Sequence, residues 1–178
     1  ADIMDKLPQI TIEMLIDRYE VLLLDAYGVL VHSSGIIAGA AELIARLNRT
    51  SKPYYILTND ASRLPATAAA RFQSMGLAIE TDKIITSGAL LKGYFAKNRL
   101  TGSHCVVLGP EDSVGYVELA GGVVVCPEDT FDVLVIGDES GFPFLDTVDT
   151  VLTGLIRKLD HGENVQIGRA SCRGKSVD

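Results

Sequence analysis

Six short apolar runs punctuate the chain: VLLL (21–24), YYIL (54–57), KIIT (83–86), CVVL (105–108), VVVC (123–126) and VLVI (133–136). Each is continuous rather than alternating, the pattern of a strand buried on both faces of a sheet. Segments with helical spacing lie between them. In AGAAELIARLNR (38–49), Ala41, Leu43, Ile44 and Leu47 form one apolar stripe. In LPATAAARFQSMGL (64–77), Pro65 suits a first helical turn and Gly76 is placed to cap the end. LLKGYFAKN (90–98) follows the third run, and ITIEMLIDRY (10–19) precedes the first as an amphipathic helix expected to pack outside the sheet. Strands alternating with helices through short connections predict an α/β fold built on a doubly wound parallel sheet.

Composition narrows the class. The 178 residues suffice for one domain with a core, and 47% hydrophobic content excludes low-complexity disorder. No apolar run approaches the ~20 residues that cross a bilayer, and the start ADIMDK does not read as a secretory signal, so no membrane partner is expected. A net charge of −7 argues against a nucleic-acid partner. Cys105, Cys126 and Cys172 are odd in number and lack CxxC spacing, which fits a reducing cytoplasm better than a disulfide scaffold. Cys105 and Cys126 are expected as core thiols. GYVELAGG (115–122) is not a dinucleotide fingerprint. The segment GRASCRGKSVD (168–178) has no apolar periodicity, and its three basic residues stand against one acid in an otherwise acidic chain. It reads as a disordered or non-native tail.

In parallel sheets, ligands sit at the carboxyl ends of the strands. The residues ending or just following the runs are Asp25, then Thr58 and Asn59, then Thr86 and Ser87, then Gly109. An acid, hydroxyls and an amide on one edge suit a small anion beside a carboxylate that attacks it or binds a metal. A lone Asp at a strand end is often only the cap of the next helix, but here Asp25 is the one ionisable group where an apolar strand runs into a tight turn. Asp25 and Thr58 are 33 residues apart, room for a turn and one crossover helix and no lid between them.

Two of these segments carry a family resemblance. VLLLDAYGVLV (21–31) resembles motif I of the haloacid dehalogenase (HAD) superfamily, an apolar strand followed by DxxG and two apolar residues. YYILTNDASR (54–63) resembles its motif II, and FQSMGL with DKIITSGALLKGYF resembles a segment of subclass IIA, which contains p-nitrophenylphosphatase-like and sugar-phosphate phosphatases. The resemblance runs from about residue 20 to about 167. It implies a Rossmann-like HAD core with part of an inserted α/β cap: an N-terminal helix over 1–20, the first part of the core over 21–100 and a partial cap over 101–167.

The resemblance also implies roles. Asp25 is the nucleophile that forms an aspartyl-phosphate, and Thr58 Oγ with the Asn59 N–H holds the phosphoryl oxygens. Mg²⁺ is the expected cofactor, with the Asp25 carboxylate and the Tyr27 backbone carbonyl as ligands. The substrate is a small phosphorylated metabolite, and a homodimer through the cap is the expected assembly. Phosphatases of the family usually carry an acid/base Asp where this chain has Tyr27, and a phenol is a poor base at neutral pH. DAYG resembles the motif I of the dehalogenases, but those place a helical cap directly after it, which the 33-residue gap excludes. Tyr27 therefore reads as a weakened or specialised phosphatase, with His32 and Asp60 as candidates for the missing acid/base. VLVIGDESGFPFLD (133–146) mimics the acidic motif IV through Asp138 and Asp146, yet no Lys or Arg lies between Arg99 and Arg157 to supply motif III. The segment is read instead as cap, which places motifs III and IV beyond residue 178 and makes the chain look truncated. A catalytically inactive relative that binds phosphate or a partner is the alternative. A receiver-like domain would need an acidic pair beside the first strand, and YEVLLLD has none.

Overall fold

The computed structural model describes residues 10–163 and 167–169. In chain order the elements are α1 (Ile12–Arg18), β1 (Leu22–Asp25), a hairpin of β2 (Val31–His32) and β3 (Gly35–Ile36), α2 (Ala40–Arg49), β4 (Tyr54–Thr58), α3 (Pro65–Ser74), β5 (Ile84–Thr86) and α4 (Leu90–Asn98). There follow β6 (His104–Leu108), α5 (Glu111–Leu119), β7 (Val123–Val124), β8 (Val133–Ile136), α6 (Phe144–Asp160) and β9 (Ile167–Arg169). Every apolar run becomes a strand, and all longer pairings are parallel. The strands do not form one sheet. Besides the antiparallel β2-β3 pair, they form two sheets: β1-β4-β5, and β7-β6-β8-β9.

The first sheet advances in one direction, β1 to β4 to β5. Right-handed crossovers made in a constant direction put their helices on the same face. Accordingly Leu22, Tyr54, Ile56 and Ile84 join Ile16 of α1, Ile44 and Leu47 of α2, and Phe72 of α3 in one core. Burying each such side chain contributes roughly 1.5–3 kcal/mol. Tyr54 is sealed there with its hydroxyl donating to Asn48 Oδ1 at 2.9 Å. Pro65 opens α3, and Gly76 takes the left-handed conformation just past its end. The other face of this sheet departs from the expectation of burial on both sides. Leu23 is 61% exposed, Leu57 and Ile85 43% each, and Tyr55 37%. The strand order does not reverse here, so no crossover helix is sent to that side.

The second sheet does reverse. From β6 the chain passes through α5 to β7 on one side, then returns to β8 and continues through α6 to β9 on the other. Its two faces are therefore both covered. Val106, Leu108 and Leu134 pack with Val151 and Leu155 of α6, while Cys105 and Val135 pack with Phe95 of α4 and Val117 of α5. The helix α4, which its place in the chain puts with residues 21–100, thus buries Phe95 against the second sheet. Cys105 is a core thiol as expected, but Cys126 is exposed, because β7 ends at Val124 and Cys126 lies in the loop beyond. Gly168 and Arg169, the first two residues of the segment set apart as a tail, belong to β9 and pair with Val135 and Ile136. Their pairing is a main-chain property that an apolar pattern does not register. Residues 170–178 lie outside the described ones.

Candidate active site

The register of the first sheet brings the candidate residues together. Asp25, the last residue of β1, is paired with Leu57 on the adjacent parallel strand, and Thr58 is the next residue and the last of β4. Neighbouring strands lie about 4.8 Å apart, so both side chains emerge at the same carboxyl edge. Asp25, Tyr27, Thr58 and Asn59 line one cleft of about 640 Å³. Its opposite wall comes from the second sheet, where Leu108 ends β6 and Ile136 ends β8, followed by Gly137 and Asp138. That pair of strands flanks the point where the second sheet's order reverses, the usual place for a ligand in such sheets.

The loop after β4 is anchored almost entirely through its own backbone. Ser87 N–H donates to the Thr58 carbonyl at 3.0 Å and Gly88 N–H to that of Asp60 at 3.4 Å. Ser113 Oγ donates to the Ala61 carbonyl at 2.7 Å, and the Tyr116 hydroxyl to the Arg63 carbonyl at 2.6 Å. Asp112 Oδ2 accepts the Leu64 N–H at 2.9 Å. The carbonyls are taken from outside the loop, whereas among the described residues no acceptor is paired with the N–H groups of Asn59, Asp60 or Ala61. Successive unclaimed N–H groups are a natural anion cradle.

Asp60 is committed elsewhere. Its Oδ1 accepts from Ser62 N–H at 2.8 Å and Ser62 Oγ at 2.7 Å, and Oδ2 is paired with Arg63 at 3.0 Å. Burial pushes this carboxyl up, but the Ser62 bonds and Arg63 outweigh it and hold it below the ordinary aspartate value. An ionised, fully engaged carboxylate has no proton to give at neutral pH, so Asp60 does not suit the missing acid. His32 is not among the cleft residues; its Nδ1 is bonded to Ser34 Oγ at 2.8 Å. Tyr27 does line the cleft and is 60% exposed. Thr86 is turned away, buried against Tyr116 with a 2.5 Å hydroxyl–hydroxyl bond, and Ser87 Oγ is buried without a partner. Asp138 lines the cleft with its Oδ1 held by Ser140, while Asp146 sits in the first turn of α6 and is not part of the cleft.

For a divalent cation, the chain offers hard oxygen donors of the kind Mg²⁺ prefers: the Asp25 carboxylate and the Tyr27 carbonyl. No group of three acidic, His or Cys side chains surrounds them among the described residues. Mg²⁺ commonly binds through one or two carboxylates and keeps several waters and substrate oxygens, so this donor set fits it as a sparse site. Sequence reading missed Arg71 and Phe72 of α3, Phe142 just ahead of α6 and Phe144 at its first position, which all line the cleft. The i, i+3, i+4 spacing of Ala68, Arg71 and Phe72 would have placed those three on one helical face.

The model of the family described as haloacid dehalogenase-like hydrolases matches residues 22–122. An acid sugar phosphatase of Staphylococcus saprophyticus is 28% identical over 120 residues, which are 67% of this chain and 46% of that protein. Mouse chronophin is 33% identical over 101 residues, 57% of this chain and 32% of its own length. Among solved structures, a "possible sugar phosphatase" of Cytophaga hutchinsonii superposes with a TM-score of 0.73 at 28% identity, covering 88% of this chain and 55% of that one. The chain thus spans about half the length, or less, of the proteins it matches. No helix among the described residues is long and apolar enough to cross a membrane. The matched stretch takes in Asp25, Thr58 and the loop that β5 and α5 anchor, and on that ground this chain belongs to the haloacid dehalogenase-like hydrolases, subclass IIA.

Proposed function

We propose that this chain carries the nucleophile and the phosphate-binding loop of a phosphatase for small phosphorylated metabolites. The observation that carries the reading is the convergence of Asp25, the Thr58 hydroxyl and the unclaimed Asn59 N–H on one sheet edge. Asp25 attacks the phosphorus in line, and the bond to the leaving oxygen breaks as the aspartyl-phosphate forms. Water then attacks that intermediate, releasing inorganic phosphate and regenerating the carboxylate. Thr58 Oγ–H and the Asn59 N–H hold the phosphoryl oxygens as charge builds on them. The leaving oxygen needs a proton, and the side chain at the family's acid/base position is Tyr27. With Asp60 engaged by Ser62 and Arg63, the phenol is the remaining candidate donor, and turnover is accordingly slow.

Asp25 and the Tyr27 carbonyl would hold Mg²⁺, which when bound offsets the repulsion between two anions. The free thiols Cys105 and Cys126 suit a reducing, cytoplasmic setting. A homodimer through the second sheet's unit is supported by the exposed side chains Leu145, Leu152, Ile156 and Leu159, which make a second apolar stripe on α6.

The test is hydrolysis of p-nitrophenyl phosphate with Mg²⁺, comparing the chain with its Asp25→Asn variant. Slow turnover abolished by the substitution is the expected result. Equal rates in both, or none in either, would sink the reading for this chain.

A further inference from the structure

Helix α5 belongs to the core of the second sheet, yet three of its side chains leave that core for the loop of the first. Asp112, Ser113 and Tyr116 stand at i, i+1 and i+4, so they share one side of the helix. Asp112 takes the Leu64 N–H, Ser113 the Ala61 carbonyl and Tyr116 the Arg63 carbonyl. Ser113 and Tyr116 are buried, and Tyr116 bonds Thr86 Oγ1 with the same hydroxyl. The fit is close on every side. A Cβ at Gly88 would lie 2.4 Å from the Tyr116 ring, and one at Gly109 or Gly137 would lie 2.6 or 2.5 Å from Ser113 Oγ. The three glycines thus let backbone approach these two side chains more closely than any other residue would.

We propose that α5 is the positioning element of the phosphate-binding loop, with Asp112, Ser113 and Tyr116 as positioning residues that none of the chemistry touches. Ser113 holds the Ala61–Ser62 peptide plane, and Asp112 and Tyr116 both hold the Arg63–Leu64 plane, just beyond the planes whose Thr58 and Asp60 carbonyls are taken by Ser87 and Gly88. With the chain pinned beyond Ala61, the N–H groups of Asn59, Asp60 and Ala61 stay available to a ligand rather than folding back on neighbouring carbonyls. The contact makes anion affinity a property of the docked pair of units, not of the first sheet alone. This inference rests on the phosphate-binding reading of Thr58 and Asn59, and it adds which residues outside the site set that loop's shape.

The experiment uses the 178-residue chain with orthovanadate as probe, followed by titration calorimetry, and with amide hydrogen exchange over residues 59–64. Tyr116→Phe and Ser113→Ala are each expected to weaken vanadate binding about tenfold and to speed exchange in the loop by a similar factor. Asp112→Ala should do the same and Asp112→Asn should not, because the amide oxygen still accepts the Leu64 N–H. Asp132→Ala, which removes a 2.9 Å bond to the His104 N–H outside the cleft, serves as the control for stability alone. It should lower the melting temperature while leaving vanadate affinity and loop exchange unchanged. If the α5 variants behave as that control does, the proposal is overturned. A vanadate affinity indifferent to both Thr58→Ala and Asp25→Asn would instead refute the phosphate reading, and loop exchange would then decide by itself whether α5 fixes the loop.

Discussion

At the residue scale, the position two after the proposed nucleophile Asp25 is the one expected to set the rate of the proposed reaction. Tyr27 lines the cleft and is mostly exposed, so its replacement has little packing to disturb. Tyr27→Asp is expected to raise phosphomonoester hydrolysis by about 10²-fold or more, the usual contribution of a positioned acid/base. Steady-state kinetics on p-nitrophenyl phosphate would show it, and an unchanged or lower rate would mean that proton transfer is not what limits this chain. Asp60 makes a different prediction. Its carboxyl titrates below the ordinary aspartate value in the fold, so the unfolded chain binds its proton first on acidification. Its stabilising contribution is complete above about pH 4, the ordinary value, and disappears as pH falls through the lowered folded value. Chemical denaturation across that acid range should show a shallower loss of stability in Asp60→Asn than in the parent chain.

At the scale of elements, the parts most legible in the sequence were those fixed by local pattern. Where an apolar run ends, the next side chain stands at the sheet edge, which is why Asp25, Thr58 and Asn59 could be placed together. Pro65 and Gly76 bracketed α3 for equally local reasons. Thr86 and Ser87 passed the same strand-end test but do not reach the cleft, because the Tyr116 ring that claims that space comes from 30 residues further on. Period and run length carry no information about such docking. The run pattern alone likewise read six similar strands as one sheet; it was the family resemblance that set a core over 21–100 apart from a cap over 101–167. The α4–α5 junction gives the element-scale prediction. Gly88→Ala would drive a methyl group into the Tyr116 ring and should destabilise the chain by about 1–3 kcal/mol. A urea titration would measure it; a neutral outcome would mean the ring moves aside at no cost.

At the scale of the molecule, the two sheets are unequally dressed. The second is covered on both faces, while the first presents Leu23, Tyr55, Leu57 and Ile85 to solvent, and β1 pairs only with β4 among the described residues. Parallel sheets are ordinarily covered on both sides, and an apolar face beside an unpaired edge favours association. Leu23→Lys is therefore expected to reduce light scattering and binding of a hydrophobic dye while changing the unfolding free energy by less than about 0.5 kcal/mol. Scattering unaltered by the charge would show that another surface governs association. The bonds from α5 to the loop have a further, temporal consequence. Each sheet closes mainly between strands that follow one another in the chain, but those bonds join residues 48, 52 and 53 positions apart and bridge two separate cores. Contacts that span more chain, and that depend on both partners being formed, come late in folding. In a refolding chain, the ability to grip an anion should lag behind the return of helix, as the last property the molecule recovers.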